Sequence, residues 1–111
     1  MWIFTKYGFF SATCVKEDDK TIQVRGRVED HLRNLKVRFP ELTGEIIVGE
    51  GTDYLFRIYV PKEIWAKVIA ELANEVDYSN FKSEVGKNFG YKDEYSHSLM
   101  TVWSTMYKLQ K

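Results

Sequence analysis

Three arginines and two aromatic, polar stretches carry most of the chemistry this chain could offer. Arg25 and Arg27 stand two residues apart in a segment that alternates, with Gln23 on their side and Ile22 and Val24 on the other. Arg57 and Tyr59 alternate in the same way against Phe56 and Ile58. If helices cover the apolar side, the opposite side displays guanidinium groups beside aromatic rings. Guanidinium forks pair with phosphate oxygens and aromatic faces stack on bases, so the combination suits a nucleotide. The same pattern also serves an ordinary solvated sheet face held by cross-strand pairs. The two stretches are Gly51-Thr52-Asp53-Tyr54 and Asp77-Tyr78-Ser79-Asn80-Phe81-Lys82. From them Tyr54 or Tyr78 would stack on a base, Asn80 would read a base edge, and Lys82 would join Arg25, Arg27 and Arg57 at phosphates. Asp77 or Ser79 is expected to cap a helical turn there, with Tyr78 and Phe81 as packing anchors.

No complete catalytic motif accompanies these residues. His31 and His97 are the only histidines, and neither lies in an H-x-x-x-H or H-E-x-x-H spacing. Ser11, Ser79, Ser96 and Ser98 lack a G-x-S-x-G elbow, and Cys14 falls in an apolar strand where burial would keep its thiol protonated. Glu17, Asp18 and Asp19 read as a solvated hairpin tip rather than an acid/base pair. Gly49-Glu50-Gly51 lacks the third glycine and the Lys-Ser or Lys-Thr of a phosphate loop, and Glu50 would repel an anion; a tight hairpin turn is expected. The residues favour binding over catalysis, with no metal and no cofactor.

The elements that must position these groups follow from the apolar spacing. Gly8 to Val15 and Thr21 to Arg27 are rich in aromatic or β-branched residues and flank the polar run Lys16 to Lys20, which predicts a hairpin. Val28, Leu32, Leu35 and Phe39 recur at helical spacing until Pro40. Glu45 to Val48 and Tyr54 to Val60 predict a second hairpin. After Pro61, the residues Ile64, Trp65, Val68, Ile69, Leu72, Ala73 and Val76 trace one apolar helix face. Phe81, Val85 and Phe89 suggest a shorter helix interrupted near Gly86 and stopped by Gly90. Asp93 would cap a last helix with Tyr95, Leu99, Val102, Trp103, Met106 and Leu109 on its buried side. The expected architecture is a single α+β domain over 1–111: two antiparallel hairpins forming a sheet, helices on one face, and a C-terminal helical extension.

Composition narrows the classes further. Sixteen basic residues balance sixteen acidic ones, so a protein that wraps long nucleic acid is not expected. A lone cysteine, an N-terminal stretch that meets Lys6 before a signal-peptide core could form, and no 18-residue apolar run point to a cytoplasmic protein without a membrane segment. Trp2, Trp65 and Trp103 are expected in the core, and the Trp2-Ile3-Phe4 cluster is the candidate contact in a homo-oligomer.

The chain resembles a family of small uncharacterised bacterial and phage proteins. The resemblance lies in Met1-Trp2-Ile3-Phe4-Thr5, Gly8-Phe9-Phe10-Ser11, Gly51-Thr52-Asp53-Tyr54 with Arg57, Asp77-Tyr78-Ser79-Asn80-Phe81-Lys82 and Val102-Trp103-Ser104-Thr105-Met106-Tyr107, covering nearly the whole chain. Gly86 to Lys92 departs from the Gln- and Arg-containing stretch of its relatives, so no role is assigned to it. Three function classes follow. The first is non-enzymatic binding of a small anionic ligand, a nucleotide foremost; a phage protein of this kind would sequester a cyclic dinucleotide signal of host defence. The second is a protein-interaction inhibitor or immunity-type module using Trp2, Tyr7 or Tyr107 as anchors. The third, ranked last, is a small hydrolase or nuclease built on Asp53, Asp77 and His97.

Overall fold

Alternation around Ile22 and Val24 is realised in a five-stranded antiparallel sheet. Strand β1 spans Trp2–Thr5, β2 Gly8–Val15, β3 Asp18–Gly26, β4 Ile47–Val48 and β5 Phe56–Pro61, in the spatial order β1-β2-β3-β5-β4. The helices are α1 Glu29–Arg38, α2 Lys62–Asn74, α3 Phe81–Phe89 and α4 Glu94–Tyr107. The computed structural model describes residues 1–110, which form two compact units, Met1–Val76 and a second from Asp77 onward. The fold class is α+β, with both hairpins and the C-terminal helix in place; β1 adds an edge strand beyond those expected.

In the first unit the sheet turns Phe10, Ala12, Ile22, Val24, Ile58 and Val60 toward α1 and α2, which supply Leu32, Leu35, Trp65 and Val68 to the same core. Burying side chains of this size contributes roughly 1.5–3 kcal/mol each, which is what holds two amphipathic helices on one sheet face. Gly8 lets β2 pass against α1. Its φ is +147°, and a Cβ there would lie 2.3 Å from His31 Cγ. His31 is buried and its Nδ1 accepts the Phe9 N–H at 3.3 Å, so this histidine is a packing residue that ties helix to strand. At the far ends of the two helices, Tyr7 donates its hydroxyl to Glu75 at 3.0 Å, and Arg38 Nε meets the same carboxylate at 2.5 Å. Burial raises the Tyr7 pKa above its ordinary 10.0, and the Glu75 carboxylate raises it further.

The second unit is helical. Asn80 caps α3, its side chain accepting the Ser83 N–H at 2.9 Å, so the cap is neither Asp77 nor Ser79 as the sequence suggested. Only Asn80 has the extended backbone one residue before the helix that lets a short side chain reach the third N–H. Helix α3 runs through Gly86 without interruption, because the buried glycine leaves space for the Tyr91 ring. It ends at Gly90, as expected. Asp93 caps α4 by accepting the Tyr95 N–H at 2.8 Å. Val85 of α3 and Tyr95 and Leu99 of α4 are buried, and Phe89 meets Tyr95 edge-on at 5.1 Å.

Three expectations about burial are corrected. Trp65 is in the core, but Trp2 is 72% exposed on the edge strand and Trp103 is 53% exposed on α4. Met106 and Leu109 are likewise exposed, since the apolar row of α4 runs on beyond its buried stretch at Tyr95 and Leu99. Cys14 is exposed rather than buried, because it lies next to the irregularity between Cys14 and Val15 at the end of β2, beyond the part of the strand that contributes to the core.

Candidate functional site

Cross-strand register gathers four of the seven residues proposed from sequence. Strands β3 and β5 pair so that Arg25 stands directly opposite Arg57, with Gln23 opposite Tyr59. Ser11 of β2 stands opposite Arg25 on the other side. All lie on the sheet face away from the α1 and α2 core, since their neighbours Val24 and Ile58 are buried in it.

The side chains interlock. Arg25 Nη2 donates to Ser11 Oγ at 2.7 Å, and Gln23 Nε2 donates to Thr13 Oγ1 at 3.0 Å. Arg57 Nη1 donates to Gln23 Oε1 at 3.3 Å, while its Nη2 donates to Thr52 Oγ1 at 3.0 Å and to the Tyr54 carbonyl at 3.1 Å. Arg57 thereby pins the loop 49–55 that joins β4 and β5. The loop as a whole is longer than a tight hairpin connection, with the Gly49 N–H reaching across to the Leu55 carbonyl at 2.6 Å, but it contains the tight turn expected at Gly49-Glu50-Gly51: the Thr52 N–H donates to the Gly49 carbonyl at 3.1 Å and Gly51 has a φ of +80°. Arg27, just past the end of β3, donates to the Asp53 carbonyl at 2.7 Å.

Tyr54 is the centre of the arrangement. Its ring lies 4.7 Å from Arg25 Cζ and 4.3 Å from Arg27 Cζ, with Phe9 6.4 Å away. Each cation on the ring face contributes about 0.5–2 kcal/mol and fixes the plane of its guanidinium. Tyr54 is only 3% exposed. The ring offered by the sequence as a base platform is occupied by two arginines, so its role here is to hold them.

Among the described residues every acceptor that Arg25, Arg27 and Arg57 use is a neutral oxygen. Among the described residues the ion pairs join Arg33 to Glu29, Arg38 to Glu75 and Lys87 to Glu84, and none involves these three arginines. The buried Nε atoms of Arg25 and Arg57 have no hydrogen-bond partner among the described residues. Like charges directly opposite on neighbouring strands repel, and a chain of net charge zero has carboxylates it could have placed there. The arrangement is a cationic cluster pre-ordered by neutral contacts, a chemistry that can pair with an anion.

Tyr78, Asn80 and Lys82 belong to the second unit. They lie at the start of α3, where Asp77, Tyr78, Ser79 and Asn80 line a cleft of about 540 Å³ together with Ser83, Glu84 and Lys87. Asn80 spends its carbonyl oxygen on the cap. Tyr78 packs against Phe81 at 6.2 Å, and Lys82 places its ammonium 4.9 Å from the Trp103 ring. Of the residues considered for a hydrolase, Asp53 is in the first unit and Asp77 and His97 are in the second; among the described residues no three His, Cys, Asp or Glu side chains could hold a metal ion together. No helix among the described residues is long and apolar enough to cross a membrane.

Two contributors escaped the sequence reading. The sequence presents Ser11 as a serine outside any nucleophile elbow and Thr52 as part of a polar stretch, both within motifs of the resemblance, and neither pattern points to a contact with Arg25 or Arg57. The alternation of β2 could have placed Ser11 on the arginine face, but its partner depends on the register shift between Cys14 and Val15. No protein-family model, curated protein or solved structure matches the chain.

Proposed function

We propose that this protein binds a small anionic ligand, a nucleotide, without transforming it, and that Arg25, Arg27 and Arg57 receive the phosphates. The observation that supports this reading is the set of three guanidinium groups around Tyr54, with no carboxylate paired to them among the described residues. A phosphate would relieve the repulsion between the facing Arg25 and Arg57, whose charges the neutral contacts leave unbalanced. Because Tyr54 is engaged by the arginines, base stacking falls to the exposed Tyr59 on the same face. A cyclic dinucleotide, held as a sequestered signal of host defence, is the member of this class that the sequence resemblance suggests.

Titration calorimetry with mono-, linear and cyclic dinucleotides, followed by recovery of each ligand, tests this reading. Tight binding with the ligand recovered intact is expected. Arg57→Lys, which keeps the charge and loses the guanidinium contacts to Gln23, Thr52 and Tyr54 that hold it in place, should weaken binding by about tenfold. Failure of every nucleotide in the panel to bind would turn the choice toward the protein-interaction module, which the exposed Trp2 on the edge strand favours.

A further inference from the structure

Helix α4 is unlike every other helix of the chain in its charge. From Tyr95 to Tyr107 it contains no Asp, Glu, Lys or Arg, in a chain that is 29% charged. Its polar arc is built from Ser98, Thr101, Ser104 and Thr105 together with His97. A helix exposed to water on its outer side ordinarily carries charges there. Here Met100, Trp103 and Tyr107 instead follow one another at spacings of three and four, and each is more than half exposed, as are Met106 and Leu109. Trp103 and Tyr107 stack at 5.2 Å and 16°, which makes a flat aromatic shelf on the helix surface.

We infer that α4 is a self-association surface, packing antiparallel against the α4 of a second copy about a two-fold axis near Trp103. Three features select a second copy. A helix without charges of its own gives a foreign partner no charge pattern to read, and Lys82 of α3, 4.9 Å from the Trp103 ring, is the cation its image must accommodate. Antiparallel packing sets the N-terminal end of each helix dipole beside the C-terminal end of the other. Met100, Trp103, Met106 and Tyr107, the exposed large apolar side chains within α4, present on the order of 500 Å² of surface per copy, so two copies bury about 1,000 Å², the lower bound for a specific interface. This inference rests on α4 alone and does not depend on the anion site.

Sedimentation of the full chain from about 1 μM to about 500 μM should show a monomer–dimer equilibrium. With the axis near Trp103, residue 100 of one copy meets residue 107 of the other. Met100→Glu with Tyr107→Glu therefore gives a monomer, while Met100→Glu with Tyr107→Lys keeps the dimer through two symmetric ion pairs. Both positions are exposed, so circular dichroism of the variants should match the parent. A parent that stays monomeric throughout, a dimer unaffected by the double-glutamate change, or loss of the dimer in both double variants would overturn the inference.

Discussion

The first unit assembles its candidate ligand groups from distant parts of the chain, whereas the second draws Tyr78, Asn80 and Lys82 from one short run at the start of a helix. Ser11, Arg25, Tyr54 and Arg57 meet because three strands and a loop are locked in register. In the second unit the corresponding side chains serve local structure: Asn80 caps, Tyr78 packs on Phe81 and Lys82 sits by Trp103. Polar groups in a sheet can be left pre-ordered and electrostatically incomplete because the ladder already holds the backbone. Polar groups at a helix start are consumed by the helix's own unpaired N–H groups. Both units also use a glycine against a ring, with opposite consequences. The His31 ring at Gly8 is buried and hydrogen-bonded, whereas the Tyr91 ring at Gly86 belongs to an exposed side chain that can swing aside.

The sharpest separation of the two regions is in binding. Arg25→Ala with Arg57→Ala should lower nucleotide affinity by at least about 100-fold in calorimetry, as expected for losing two charge-assisted contacts. Asn80→Ala with Lys82→Ala should change it by less than about threefold if their groups remain spent on α3 and Trp103. Equal losses in the two pairs would erase the distinction, and unchanged affinity in a folded arginine double variant would sink the site. Next in size is the glycine contrast. Gly8→Ala combines strained backbone with a clash against buried His31, and should cost about 3 kcal/mol or more in urea unfolding. Gly86→Ala should stay within about 1 kcal/mol of the parent, because helix propensity gained offsets moving Tyr91.

Smaller effects probe each unit by itself. Asn80→Ala should cost about 1 kcal/mol, with amide exchange accelerating first at Ser83 and its neighbours. In the first unit, Tyr7→Phe removes the hydroxyl that donates to Glu75. Since the folded state raises the Tyr7 pKa, this hydroxyl's contribution is complete below the unfolded value of 10.0 and is lost as pH rises through the higher folded value. The gap in melting temperature between parent and Tyr7→Phe should therefore narrow above about pH 10. A gap that is constant or widens with pH would mean the Tyr7–Glu75 bond does not couple to folding.

Much of the fold was legible because its periodicities are strong. Ile22 and Val24 against Gln23 and Arg25 read as a two-faced strand, and Ile64, Trp65, Val68 and Leu72 as one helix face, in agreement with β3 and α2. Ends marked by Asp93 and Gly90 were equally plain, since capping depends on one or two residues. The arginine face was legible as a face. Its wiring was not: counted back from the pair Val15–Asp18, Ser11 would stand opposite Ile22, and only the irregularity after Cys14 puts it opposite Arg25. Burial of aromatics was the least legible feature. Trp2, Trp65 and Trp103 are chemically alike, and only Trp65 lies where sheet and helix close over it.

The two-sided strands, the apolar face of α2, the charge balance and the uncharged run of α4 follow from the chain alone, because each is a property of neighbouring residues. Tertiary structure alone decided that Arg25 faces Arg57, that both Arg25 and Arg27 lie on Tyr54, and that Asn80 is spent as a cap. Those outcomes depend on strand register and on backbone dihedral angles at single residues. A shift of one residue in the ladder would turn every side chain to the other face.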